Sequence, residues 1–342
     1  MLKGASEKTS LRVPSQDGTN ETYWSKITDL RICKRFAAIK FSGGKEELHQ
    51  NEKMQSGPFI DLFHSVLAKH QPDATLEAVD FSMKWKDGRW RGQLYHCNHG
   101  WTISLRQMPH GRPDLGKLGF QIKDIVSLGT GTGLILFSGS TGAGKSTTMA
   151  GTVFALEEMN LLGNTVTIED PIEYVYGTPF IMQREVGIDV ESFSAGTFEA
   201  MRQYPRTIVV GEIRDHKTAE VALEAGLSGH RVMATIHADS IEDTISRMQA
   251  FLSARTIQQL PKAMRGVVSQ YLVHKEGRVR LLYESLLFDK KAKNVLGGGA
   301  EAVQRLVHEQ NRQNRPTLKE QANRLIHNGM LTDEDVAAFI DN

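Results

Sequence analysis

"GSTGAGKSTT", Gly139 to Thr148, decides how this chain folds and where its chemistry sits. Gly139-Ser140-Thr141-Gly142-Ala143-Gly144-Lys145-Ser146 satisfies G-x-x-x-x-G-K-[ST] at every position. The apolar run "LILF" (Leu134 to Phe137) reads as a strand before it, and a helix is expected from Ser146. In that setting the glycines let successive N–H groups turn inward around phosphate oxygens, and the helix N-terminus adds partial positive charge. Gly139 through Ser146, with Thr147 next in the chain, are the expected nucleotide-binding residues. Lys145 should reach the β- and γ-phosphates and the Ser146 hydroxyl should ligate Mg²⁺. The bland alternative is a glycine-rich turn that merely precedes a helix.

A phosphate cradle hydrolyses nothing without a base and a charge stabiliser. "TIVVGEIRD" offers Glu212 just past a short apolar strand, and in an open parallel sheet that end faces the ligand crevice. The alternative is a surface acid at a strand end. In "TIEDPIEY", Glu169 and Asp170 leave another strand before Pro171, where two acids suit Mg²⁺ or water positioning. Asp170 could equally start an Asx-Pro turn. In "GHRVMATIHAD", His230 and His237 bracket a strand, and His237 stands where a γ-phosphate sensor would. Asp239 next to it suggests part of a metal site, but no further ligand has suitable spacing, so zinc is rejected.

Around these motifs the chain reads as two domains. Its 342 residues suffice for two cores. Residues 1–21 are polar and read as a flexible arm. Over 22–108 an α+β domain is expected. "SGPFIDLFHSVLAKH" has helical spacing, "EAVDFSMKW" alternates up to an Asp87-Gly88 hairpin turn, and strands follow through Trp90–Tyr95 and "WTISLRQ". The prolines and glycines of 109–117 mark a linker. Over 118–342, "LILFSG", "NTVTIED", "RTIVVGE" and "RVMATIHAD" read as buried parallel strands. Beyond them "LGGGAE" (296–301) reads as a joint. "TLKE" from Thr317 has the form of a capping box, Asn328-Gly329 of a helix stop, and "TDED" opens a last helix.

Two cysteines, Cys33 and Cys97, exclude a thiolate zinc site and argue against a disulfide framework. The first 21 residues lack the apolar segment of a secretory signal, and no run is long enough to span a bilayer. A cytoplasmic protein is expected, reaching a membrane only through partners. The net charge of +1, from 41 basic and 40 acidic residues, argues against a surface that grips nucleic acid throughout. A GTP switch would need an N-K-x-D motif, which does not occur. A small-molecule kinase would leave the histidine strand and the two-domain layout unexplained.

Taken in order, "GSTGAGKSTT", "TIEDPIEY", "MQREVG", "MRQYPRTIVVGEIRD" and "SGHRVMATIHADS" resemble the landmarks of the secretion ATPases of pilus retraction, type II and type IV secretion. The resemblance covers roughly residues 91–289. It implies a RecA-like P-loop domain behind a smaller N-terminal PAS-like domain, and a cytoplasmic, homohexameric, Mg²⁺-dependent ATPase docked on inner-membrane secretion or pilus subunits. By the same resemblance Glu212 is the catalytic base, Glu169 and Asp170 place Mg²⁺ and water, and His237 and His230 sense the γ-phosphate. Arginines lent by the N-terminal domain would be Arg91 and Arg106, which could otherwise be hairpin arginines on a solvent face. Retraction members carry "DPD" where this chain has Tyr204-Pro205-Arg206, which looks more like the DotB/TraJ-type ATPases of type IVB secretion and conjugation.

Overall fold

The computed structural model describes residues 11–12, 21–42, 44–50, 55–70, 78–86, 88–109, 111–275, 278–295, 305–306 and 317–340. Two compact units divide the chain, Met1–Gly111 and Arg112–Asn342. The arm expected over 1–21 lies outside the described residues except for 11–12 and the backbone of Glu21, and the joint at 296–301 lies wholly outside them.

In the first unit seven strands form one sheet: β1 (Leu11–Arg12), β2 (Ile27–Cys33), β3 (Phe36–Phe41), β4 (Glu46–Gln50), β5 (Val79–Trp85), β6 (Gly88–Cys97) and β7 (Gly100–Gln107). Their order is β1-β5-β6-β7-β2-β3-β4, antiparallel apart from the β1–β5 pair. One face buries Leu30, Ile32, Trp90, Leu94, Ile103 and Leu105 against Phe59, Leu62, Phe63 and Val66 of the helix Pro58–His70. The helix and β5–β7 follow from their apolar spacing. β2 is harder to read because its register shifts between Ile27 and Asp29, which breaks the two-residue period. The β5–β6 turn also differs from the Asp87-Gly88 expectation. Trp85 pairs with Gly88, which therefore belongs to β6, and Lys86 stands at φ +51°; Asp87 lies outside the described residues. Gly88 is needed for space instead: a Cβ there would stand 2.8 Å from the Trp90 indole nitrogen, which donates to Trp85 O at 3.0 Å.

A second sheet organises the other unit: β8 (Gly133–Ser138), β9 (Thr165–Glu169), β10 (Ile181–Glu185), β11 (Thr207–Val210), β12 (Arg231–Ile236), β13 (Met264–Lys275) and β14 (Arg278–Leu287). The order is β10-β9-β11-β12-β8-β13-β14, parallel until the closing β13–β14 hairpin. Every residue of β8, β11 and β12 is buried, because helices cover both faces. Leu136, Ile168, Val210 and Ala234 pack with helices His216–Leu227 and Ile241–Phe251. On the opposite face, Ile135, Phe137, Val209 and Met233 pack with helices Ile122–Gly129 and Lys145–Glu158. Each such fully buried aliphatic side chain contributes about 1.5–3 kcal/mol.

Toward the C-terminus Thr317 and Glu320 form the expected capping box on the helix Leu318–His327, and Gly329 ends it at φ +65°. Buried Glu284 of β14 accepts from the Leu318 N–H at 3.3 Å, and burial pushes its pKa up to about 7. At the other end of the unit, Asp114 caps the short helix Leu115–Leu118, and Leu115 is buried against Gly151. The chain is therefore part of the second core well before residue 118.

Candidate active site

Where β8 ends, three glycines shape a loop that no other residue would tolerate well. Gly139, Gly142 and Gly144 have φ of +150°, +82° and +82°. A Cβ on Gly139 would lie 2.4 Å from Gln270 O and 2.9 Å from the Ala143 Cβ. Gln270 of β13 braces the loop from behind by donating to Ala143 O, and Ala143 N–H closes a turn on Ser140 O at 3.2 Å. The helix Lys145–Glu158 then starts with Gly144 as N-cap and no capping side chain. Asp114, Ser192, Asp215, Ser240 and Thr317, by contrast, cap their helices with side-chain oxygens. The first-turn N–H groups of Lys145, Ser146 and Thr147 thus have no acceptor within their own helix and suit an anion. The Thr147 hydroxyl lies 3.0 Å from Tyr174 OH.

The ends of β9, β11, β12 and β8 lie side by side, and their loops carry the charged groups. Past β11, Gly211 N–H donates to Ile168 O at 2.7 Å and Ile213 N–H to Thr235 O at 2.8 Å, so Glu212 is held between β9 and β12. A continuous chain of polar contacts follows. Lys145 Nζ donates to Gly139 O and Ser140 O, each at 2.9 Å, and faces His237 Nδ1 at 3.3 Å. His237 Nε2 lies 3.0 Å from Glu212 Oε1. Glu212 Oε2 accepts from Arg214 Nε at 2.7 Å and from its Nη2 at 2.6 Å.

The donors assign the tautomer: an ammonium facing Nδ1 makes that nitrogen the acceptor, so the imidazole proton sits on Nε2 and is given to Glu212. Burial and the Lys145 charge both lower the His237 pKa, which keeps the ring neutral at pH 7. Burial also lowers the Lys145 pKa, opposed by Glu212 and Asp239.

Glu169 ends β9, with its backbone beside Gly211. Its Oε1 accepts from Thr167 Oγ1 at 2.6 Å and Gln183 Nε2 at 3.0 Å, and burial raises its pKa against those two bonds. Gln183 belongs to β10, the strand made by "MQREVG", and also binds Tyr174 O and Tyr176 N–H. Asp170 follows at the strand end, close enough for its charge to act on Arg214. Neither Gln183 nor Arg214 stands out in the sequence, although Arg214 sits two residues beyond Glu212.

His230, the other histidine expected to sense the γ-phosphate, is not brought to this place within the chain. It precedes β12 at the amino end, about 20 Å from the cradle, and its Nδ1 lies 3.1 Å from Ala225 O. Arg91 and Arg106 belong to the first unit. They are Cα partners on β6 and β7, both exposed, beside an open groove of about 840 Å³ that Asp29, Arg31 and Asp80 also line. Arg106 Nε donates to Asp29 Oδ1 at 2.8 Å. Like charges placed directly opposite on a sheet are destabilising, and Asp29 offsets this pair.

Known proteins share this architecture. YggR, an uncharacterized protein of Escherichia coli (strain K12), is 32% identical over 289 residues, 80% of this chain and 86% of that protein. The crystal structure of the pilus retraction motor PilT with bound ADP matches with a TM-score of 0.76 at 28% identity, over 94% of this chain and 96% of that one. The Legionella pneumophila ATPase DotB matches in fold with a TM-score of 0.75 at 24% identity, over 92% of each chain. The fold is accordingly a RecA-like P-loop domain behind a smaller PAS-like domain. Residues 95–338 match the family described as Type II/IV secretion system protein, and the chain belongs to that family of secretion and pilus ATPases.

Proposed function

We propose that this chain is a Mg²⁺-dependent ATP hydrolase that works as a homohexameric ring and powers transport or assembly in a type IVB secretion or conjugation machine. One observation carries the reading: Lys145, at the start of the helix after β8, and Glu212, past β11, are joined through His237 at the end of the intervening β12, beside an uncapped helix start. In this mechanism the phosphates take the open N–H groups of Lys145, Ser146 and Thr147, and Lys145 exchanges two loop carbonyls for β- and γ-phosphate oxygens. A water attacks the γ-phosphorus, Glu212 accepts its proton, and the bond to the bridging oxygen breaks to give ADP and phosphate. His237 faces Lys145, so it responds when the ammonium turns to the γ-phosphate.

Ser146 in the first helical turn and Asp170 at the end of β9 offer the hard oxygen donors that Mg²⁺ prefers, and the donor set fits. Mg²⁺ held there neutralises phosphate charge. Glu169, anchored by Thr167 and Gln183, orders water beside Asp170. Arg91 and Arg106 lend charge to the γ-phosphate when the first unit closes, with the chain near Gly111, ahead of the packed Leu115, as hinge. A head-to-tail contact that closes on itself makes the ring.

Among the described residues no helix is long and apolar enough to cross a membrane. In this reading the ring is cytoplasmic, sits on the inner membrane through secretion subunits, and has no direct contact with nucleic acid. Tyr204-Pro205-Arg206, in place of the "DPD" of retraction members, favours the type IVB branch. The match to PilT favours a second reading, retraction of a type IV pilus. The purified chain should hydrolyse ATP only with Mg²⁺ and with little preference for GTP. Affinity purification from native membranes separates the two machines: secretion-channel subunits support the first, pilins the second.

A further inference from the structure

Arg214 is a cation that no part of the proposed hydrolysis uses, yet it grips the group proposed as base. Its Nε and Nη2 both reach Glu212 Oε2, at 2.7 and 2.6 Å. Its backbone is well mounted. Ile213, before it, is 1% exposed in the core, and Asp215, after it, caps the helix His216–Leu227 by accepting from Thr218 N–H at 2.8 Å. With Ile213 pointing inward, Glu212 and Arg214 turn to the same side. The Glu212 side chain is only 13% exposed, whereas that of Arg214 is 54% exposed.

We infer that Arg214 is a positioning residue for hydrolysis: its two-donor grip fixes Oε2 and presents Oε1 of Glu212 as the oxygen that takes the water's proton. This rests on Glu212 being the base. Oε1 is the oxygen facing His237, and His237 is held on its other side by Lys145. When nucleotide draws Lys145 to its phosphates, His237 loses that hold and Oε1 becomes open to a water. Oε2 stays engaged throughout, so the carboxylate cannot swing out of line. A base free to rotate would spend most of its time misaligned, and a misplacement of about 1 Å costs roughly a hundredfold in rate. Arg214 itself is more than half exposed, so its removal should leave the fold intact.

The test uses the full chain with R214A, R214K, E212Q and the E212Q/R214A pair, measuring turnover and ATP affinity with a fluorescent nucleotide. R214A should lower kcat by about ten- to a hundredfold while ATP affinity stays within about twofold. R214K should restore part of the rate, because lysine keeps the charge but lacks the planar fork. E212Q/R214A should be no slower than E212Q, since a residue acting through Glu212 has nothing left to position. An R214A enzyme at or above the wild-type rate overturns the inference. So does a loss confined to ATP affinity, which would make Arg214 a nucleotide ligand, and so does a double variant slower than E212Q. An E212Q enzyme with wild-type turnover overturns the base assignment itself, and the inference falls with it.

Discussion

At the carboxyl end of the parallel sheet, Lys145, His237, Glu212 and Arg214 face one another, charge against charge, beside backbone N–H groups left open. At the amino end stand three arginines, and none forms an ion pair among the described residues. Arg231, 1% exposed, instead donates to Gly131 O, Leu161 O, Leu162 O and the Thr207 hydroxyl. Arg265 donates to Ser127 O and Leu128 O at the end of the helix Ile122–Gly129, and the stem of Arg206 lies over Gly163. Burial, then the charges of Arg206 and Arg265, lower the Arg231 pKa to about 10, which leaves it cationic at pH 7. Cations spent on carbonyls close the bottom of the sheet. Cations and a carboxylate held against each other at the open end are ready to change partners, which is what a catalytic site requires.

The largest expected effect lies at the open end. Lys145→Ala should reduce ATP hydrolysis to background, because nothing else in the cradle places a cation at the β/γ-phosphates. Turnover near wild type in that variant breaks the comparison at once. The other end should answer in stability instead. Arg231→Met orphans several buried acceptors and should cost about 3 kcal/mol or more of unfolding free energy. Below its melting temperature the variant should bind ATP as the parent does. Lost ATP binding in a folded R231M protein would mean that the amino end also serves the nucleotide.

The two histidines that bracket β12 sharpen the contrast. His237→Ala should slow hydrolysis by about tenfold or more, since the link from Lys145 to Glu212 is cut. His230→Ala removes one contact with Ala225 O, and should leave turnover within about twofold at a cost of about 0.5–1.5 kcal/mol in stability. Equal effects on rate would erase the distinction between the two ends.

The smallest effect is a titration. His237 should titrate below the ordinary value of about 6.5, through burial first and the Lys145 charge second. Because the unfolded chain takes up that proton more readily, the contribution of His237 to stability is present above about pH 6.5 and is lost as pH falls. NMR of the ring protons reads the value directly, and Lys145→Ala should raise it. An unchanged value in that variant would show that the two side chains are not coupled.

Much of this was legible because local rules and tertiary context agree. The P-loop glycines, the fully buried β8, β11 and β12, the capping box at Thr317 and the helix Pro58–His70 each carry their signal in a few consecutive residues. The edge strand β10 and the second-to-last strand β13 were not legible. β10 exposes Met182, pairs Arg184 with Glu199 and turns Gln183 toward Glu169, so its polarity reflects partners distant in sequence. In β13 the register shifts between Met264 and Gly266, and Gln270 is buried to brace the cradle rather than to alternate. Arg214 and the two histidines make the same point. "GEIRD" and "GHRVMATIH" show that charged groups flank a strand, but which end faces the cradle depends on strand order, and only the folded sheet supplies that.

The central claim is that hydrolysis belongs to the carboxyl end and that Glu212 is its base. Glu212→Gln in the full chain, with ATP affinity and single-turnover hydrolysis measured on the same preparation, tests it most directly. An amide of the same shape cannot take the water's proton, so ATP should bind within about twofold of the parent while hydrolysis slows by about a hundredfold or more. Hydrolysis at the parent rate by the E212Q protein would contradict the claim, as would a loss of ATP binding with the chemical step intact.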